Sequence, residues 1–175
     1  MKTRLGFVSN SSSASYYITL KEPRKEALST ILTECSWPYF QRNTILEQIN
    51  KNIKSLTERL EYMERVKESW LIESKEYIEQ KLKEFEDMKL QVEEIFRKKD
   101  EEWNSVAKDN DLLDIVLKLN YIKIDHETEH EIELSANTVI HNNYVESMSD
   151  LLKDIVLYYT FEKPSKISLK VVHDG

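Results

Sequence analysis

Glycine, proline and cysteine are nearly missing from this chain: 175 residues contain two, three and one of them. An all-β sandwich or barrel turns every 8–12 residues or so and relies on glycine and proline to do it, so that class is excluded. Collagen-like and linker-like chains are excluded on the same ground. With Cys35 as the single cysteine no internal disulfide can form, and a reducing, cytoplasmic compartment is the expectation. No apolar run approaches the ~18 residues of a membrane span. Met1-Lys2-Thr3-Arg4 leads into no apolar segment of the secretory kind, so neither a signal nor membrane association is expected. Basic charge is short too, with 25 Lys and Arg against 32 Asp and Glu and a net charge of −7. Nucleic-acid binding needs a basic face that displaces counterions, and this balance argues against it. Two glycines cannot build a glycine-rich phosphate loop. No cofactor is expected.

What is present begins with a small polar tract, Ser9-Asn10-Ser11-Ser12-Ser13-Ala14-Ser15, leading into the strand-like run Tyr16-Tyr17-Ile18-Thr19-Leu20. Within this opening, Gly6-Phe7-Val8-Ser9-Asn10-Ser11-Ser12-Ser13 resembles the "GFVSNSSSSSF" segment that begins many uncharacterised proteins of tailed bacteriophages and some bacteria. The resemblance is confined to residues 4–17. It departs from the pattern at Ala14 and at Tyr16-Tyr17, where the pattern has serine and then phenylalanine. It implies a phage or prophage source and says nothing about activity.

Pro23 suits the first turn of a short helix whose apolar stripe is Leu28, Ile31, Leu32 and Cys35. Trp37-Pro38-Tyr39-Phe40 ends it, because the residue before a proline resists the α conformation. From Pro38 to Pro164 there is no further glycine or proline. Thr44 and Glu47 form a candidate capping box, and a heptad seam follows through Leu46, Ile49, Ile53, Leu56, Leu60 and Met63. A second seam, Ile78, Leu82, Phe85, Lys89, Val92, Phe96, Lys99, Trp103 and Val106, is displaced from the first by one residue. Either one helix of about 65 residues carries a phase slip and needs a second chain, or two helices fold back around Ser69–Tyr77. The hairpin is preferred, because it lets one chain bury both seams.

After Asp109-Asn110-Asp111 the pattern predicts a short helix with Leu112, Leu113, Val116 and Leu117 inside. A β-hairpin follows, with Ile122 and Ile124 facing Ile132 and Leu134 and with Ile124 opposite Ile132. Residues 135–141 read as a strand or a loop. Asn143 and Glu146 are candidate caps for a last helix with Met148, Leu151, Leu152, Ile155 and Tyr159 on its stripe. Lys166–Val172 reads as a closing strand. The expected fold is therefore α+β and helix-dominant: a small mixed β-sheet built from both ends of the chain, with a long antiparallel helical-hairpin (coiled-coil) insertion. Residues 1–41 and 109–175 form the small domain in this reading, and 42–108 the arm.

Chemistry-bearing motifs are few. His126-Glu127-Thr128-Glu129-His130 satisfies the zinc-peptidase pattern H-E-x-x-H. That chemistry needs a helix, so that two imidazoles one turn apart share the ion. Here the motif sits in a strand–turn–strand pattern, where His126 and His130 read as an exposed cross-strand pair. They remain the only candidate metal ligands. Cys35 lies on an apolar stripe and reads as a small buried hydrophobe. The N-terminal serines have no histidine beside them. No catalytic residue is assigned. Trp70, Leu71, Ile72 and Tyr77, around the expected reversal, are candidates for a docking patch, since tryptophan and tyrosine are enriched in interface hot spots.

The sequence therefore points to binding rather than catalysis. The resemblance implies a phage-encoded accessory protein in the host cytoplasm, acting on a host or phage protein such as host transcription machinery or a bacterial defence protein. The patterning leaves two assemblies open: a monomer with a helical hairpin, or a homodimer through the helices acting as a structural or assembly protein.

Overall fold

The described parts of both heptad seams close within one chain; Trp103 and Val106 lie outside the described residues. The computed structural model describes residues 14–21, 28–29, 32, 37–66, 72–99, 110–137, 139–141, 145–147 and 149–173. Helix α1 spans Arg42–Val66 and helix α2 spans Ile72–Lys99, and the two pack against each other. Lys75 Nζ reaches Glu64 Oε1 at 3.3 Å, eleven residues back along the chain. That pair fixes an antiparallel hairpin. Helix α2 is already formed at Ile72, so the expected reversal at Ser69–Tyr77 reaches too far along the chain; residues 67–71 lie outside the described residues.

Helix α1 also starts earlier than its expected Thr44 cap. A 3₁₀ turn at Trp37–Phe40 precedes it, and the Gln41 carbonyl already accepts from Ile45 N–H at 3.0 Å. Thr44 thus lies inside the first turn. Of the stripe expected before this turn, Leu28 and Leu32 are buried on helical backbone, whereas Ile31 and Cys35 lie outside the described residues.

Burial along α1 is graded: Ile45 and Ile49 are buried, whereas Ile53, Leu56, Leu60 and Met63 are half-buried. Helix α2 buries Met88, Val92, Ile95 and Phe96 toward the base and Ile78 toward the far end. Two helices alone cover each other on one side only, which accounts for the half-buried stretch. The buried end has a third helix, α3 (Asn110–Leu119), packed on α1, α2 and the 3₁₀ turn. Leu112, Leu113, Ile115, Val116, Leu117 and Leu119 are all buried, leaving Asp111, Asp114 and Lys118 as one exposed stripe. A helix apolar around most of its circumference must be enclosed. Gln48 Nε2 donates to the Leu119 carbonyl at 2.8 Å and satisfies one of the terminal carbonyls that α3 cannot pair internally. The chain then leaves the helix through Tyr121 at φ 59°, a left-handed position filled without glycine.

Contacts divide the chain into Lys25–Leu119, which is the helical unit, and Met1–Arg24 with Asn120–Gly175, which carries the sheet. The sequence pattern places these limits at 41/42 and 108/109. The difference lies in residues 25–41 and in α3, which the pattern groups with the sheet, whereas the 3₁₀ turn and α3 pack with the long helices.

The sheet unit joins the two ends of the chain. Strand β1 (Ala14–Leu20) is central, between β3 (Ile132–Asn137) and β6 (Ile167–His173), and β2 (Ile122–Glu127) lies outside β3. Every pairing is antiparallel, so the sheet is not the mixed one expected. The short link between β2 and β3 requires this of their pairing, since a parallel neighbour needs a crossover of a dozen residues or so. Ile18 and Leu20 face Leu134 and Ile132 across the β1–β3 ladder, and these with Ile122 and Ala136 form the buried face. The opposite face carries Tyr17 in the open.

A small hairpin, β4 (Val139–His141) with β5 (Val145–Ser147), follows β3. Glu146 is therefore in a strand, and Ser149 caps the last helix instead, its Oγ accepting from Leu152 N–H at 3.3 Å. Helix α4 (Asp150–Glu162) buries Leu151, Leu152, Ile155 and Tyr159, as its periodicity predicts; Met148 lies outside the described residues.

Candidate functional site

Helical spacing places the far end of the arm well away from the α3 contact. From Ile49 to Val66 is 17 residues, roughly 25 Å of helix. Of the four residues expected to form a docking patch, Trp70 and Leu71 lie outside the described residues, and Ile72 opens α2. Tyr77 is described fully: it is 60% exposed, with Lys81 Nζ 5.8 Å from its ring centroid. An ammonium over a tyrosine face restrains the ring while leaving its edge and hydroxyl to solvent.

The register adds a residue that periodicity passed over. Glu64 pairs with Lys75, so Tyr62, two residues before Glu64, stands level with Tyr77, two residues after Lys75. Tyr62 is also 60% exposed. It lies off the heptad seam, so a search for buried stripes has no reason to select it. Its one sequence signal is an aromatic on a polar helix face. Charges bracket this level of the arm, with Lys75 paired to Glu79 at 3.8 Å as well as to Glu64.

Nearer the base, Lys81 Nζ donates to Glu84 Oε2 at 2.8 Å, and Lys118 of α3 approaches the same oxygen at 3.5 Å. The hydrogen bond from Lys81, with the Lys118 charge beside it, holds the Glu84 carboxyl below the usual carboxylate range; the same bond raises Lys81. Because the folded value of Glu84 is depressed, its contribution is present above the ordinary carboxylate range and is lost as the pH falls through the lowered one. The pair is partly exposed and screened. Glu84→Gln is expected to cost about 0.5 kcal/mol at neutral pH and nothing once the carboxyl is protonated. Urea melts of both proteins at neutral and strongly acidic pH check this; a cost that persists in acid contradicts it.

The H-E-x-x-H segment has a different geometry from a zinc peptidase. His126 and Glu127 lie on β2 and His130 lies in the turn, so the two imidazoles do not share a helix face. Nor do they form a cross-strand pair, because His126 stands opposite Glu133. Ile124 faces Leu134 rather than Ile132, and the register shifts between Ile124 and His126, leaving Asp125 as a bulge. Thr128 sets the turn: its N–H donates to the Glu131 carbonyl at 2.9 Å, and its Oγ1 accepts from His130 and Glu131 N–H at 3.2 and 3.1 Å. A turn residue whose side chain replaces backbone partners fixes the loop locally. Both histidines are exposed, and among the described residues no group of three or more His, Cys, Asp or Glu could hold a common ion. Among those residues, too, no helix is long and apolar enough to cross a membrane.

No protein-family model matches the chain, and no curated protein or solved structure is similar to it.

Proposed function

We propose that this chain is a phage-encoded accessory protein that acts by binding another protein, with the end of the α1–α2 arm as its recognition element. The observation that carries the reading is the exposed aromatic level of the arm, Tyr62 and Tyr77, beside the half-buried outer seam of α1. A long two-helix segment adds little to the buried core beyond α3, and exposed tyrosines supply rigid contact area at small entropic cost. Trp70, Leu71 and Ile72 belong to the same recognition element in this reading, on the strength of their residue types and their place in the sequence. The phage source, and with it host transcription machinery or a bacterial defence protein as partner and the host cytoplasm as location, rests on the N-terminal resemblance alone. Pairing of the seams within one chain removes the need for a second chain that a straight rod would impose.

Tyr77→Ala is the test at residue level. Its exposure predicts a stability change within about 0.5 kcal/mol, while affinity for a partner captured from bacterial lysate is expected to fall at least tenfold or so. Unchanged affinity for Tyr77→Ala and for Tyr62→Ala would remove this surface from the reading.

A further inference from the structure

The two edges of the sheet are built differently. At the β2 edge, a bulge at Asp125 and the charged or polar run Lys123, Asp125, His126 and Glu127 disrupt any continuous ladder. Such devices stop an edge strand from recruiting another strand. The β6 edge lacks the bulge and carries one charge, Lys170: seven residues, Ile-Ser-Leu-Lys-Val-Val-His, run without bulge or proline, and among the described residues no strand lies beyond. Leu169 and Val171 are 42% and 40% exposed although they belong to the face that buries Ile18.

Hydrogen-bond polarity fixes which groups are offered. Lys21 N–H donates to the Lys166 carbonyl at 2.8 Å, extending the β1–β6 register by one pair. Hydrogen-bonded pairs alternate along an antiparallel ladder, so Lys166, Ser168, Lys170 and Val172 turn their backbone groups toward β1. Ile167, Leu169 and Val171 turn theirs outward.

We infer that β6 is a self-pairing edge: two copies of this chain join antiparallel through it, with the two-fold axis at Leu169. Charge and the apolar row together select that register, since centring on Val171 would set Leu169 against His173 of the second copy. Centring on Lys170 sets two lysines face to face, and centring on Ser168 sets Lys170 against Lys166 of the second copy. Centring on Leu169 places Lys170 opposite Ser168, and Ile167 opposite Val171, so no like charges meet and the apolar row runs on from one sheet into the next. The result is an eight-stranded sheet whose two ends are both the blunted β2, so assembly stops at the dimer.

Sedimentation velocity over a concentration series of the full chain tests this, using wild type, Leu169→Pro and Ser168→Glu. Proline at 169 removes only an outward N–H and leaves the β1 ladder intact. Wild type is expected to shift with concentration from 20.8 kDa to twice that mass. Leu169→Pro is expected to stay monomeric with an unchanged circular dichroism spectrum. Ser168→Glu sets a carboxylate opposite Lys170 twice in the dimer and is expected to tighten it about three- to tenfold. Should Leu169→Pro fail to fold, Leu169→Lys, which meets its own copy on the axis, replaces it with the same expectation. A monomer at all concentrations overturns the inference, whether its 167, 169 and 171 amides exchange freely or are protected by other residues of the same chain. A dimer indifferent to position 169 and lost on shortening the arm overturns it too, since the contact would then run through the helices.

Discussion

Ile49→Ala is expected to lower the unfolding free energy by about 2–5 kcal/mol, and Leu60→Ala by about 1 kcal/mol. Both residues are on the same heptad seam of α1, eleven positions apart, and both substitutions remove buried methyl groups. Their surroundings differ. Ile49 is enclosed near the α3 end of the arm, where Gln48 ties α1 to the last carbonyl of α3, so truncation there leaves a cavity. Leu60 is half-buried against α2 and open on its other side, so water fills the space. Equilibrium urea unfolding with an unchanged slope gives both costs directly. Equal costs would contradict the graded arm, because they would require the outer half of the seam to be covered as fully as the base. Another molecule on the arm is what could cover it.

That gradient also shows how much the sequence could reveal. Heptad spacing identified both long helices, and the one-residue displacement between the seams was compatible with a hairpin or with a rod. Nothing in residues 67–71 resolves that choice, as no glycine or asparagine marks the reversal. The Lys75–Glu64 pair does resolve it, and a pair eleven residues apart carries no periodic signal. The sheet was legible in its strands but not in its pairing. Alternation put Ile122, Ile124, Ile132 and Leu134 on one face, while the bulge at Asp125 moved Ile124 from Ile132 to Leu134. Bulges are set by three-dimensional twist and leave little trace in alternation. Helix α3 was found with four of its buried residues, but its partners were not. Ile115 and Leu119 complete a nearly all-apolar helix, and that is the sign that it belongs inside the helical unit. The missed cap at Ser149 has a similar origin, because Asn143 and Glu146 match the capping pattern while the small β4–β5 hairpin takes Glu146 into a strand.

The candidate surface follows the same division. Tyr77 came from its position near a reversal, and Tyr62 came only with the register that sets it level with Tyr77. The histidine motif, which any pattern search would select first, falls on a strand and a turn shaped by Thr128. A pattern defined on a helix transfers its meaning only with the helix.

The second large effect concerns the arm itself. Deleting 53–59 from α1 and 80–86 from α2 removes one matched heptad from each helix, by the register of the Lys75–Glu64 pair, and draws the outer end inward by about 10 Å. Heptad phase is kept on both sides of each deletion, so the helices still meet on their seams. Base and outer end keep their own residues, including Ile49, Val92, Tyr62 and Tyr77. Their separation changes, together with the weak Lys81–Glu84–Lys118 group, the exposed Lys54–Glu58 pair and the Lys81 ammonium over Tyr77, and Lys81→Met in the full-length arm is the control for the last. Affinity capture from bacterial lysate, comparing this variant with the full chain after both are shown to melt cooperatively, is the most direct measurement of the account. One stoichiometric protein partner, held by the full chain and lost by the shortened one, is the predicted result. A partner retained equally by both, or none held by either, would contradict the arm as the recognition element.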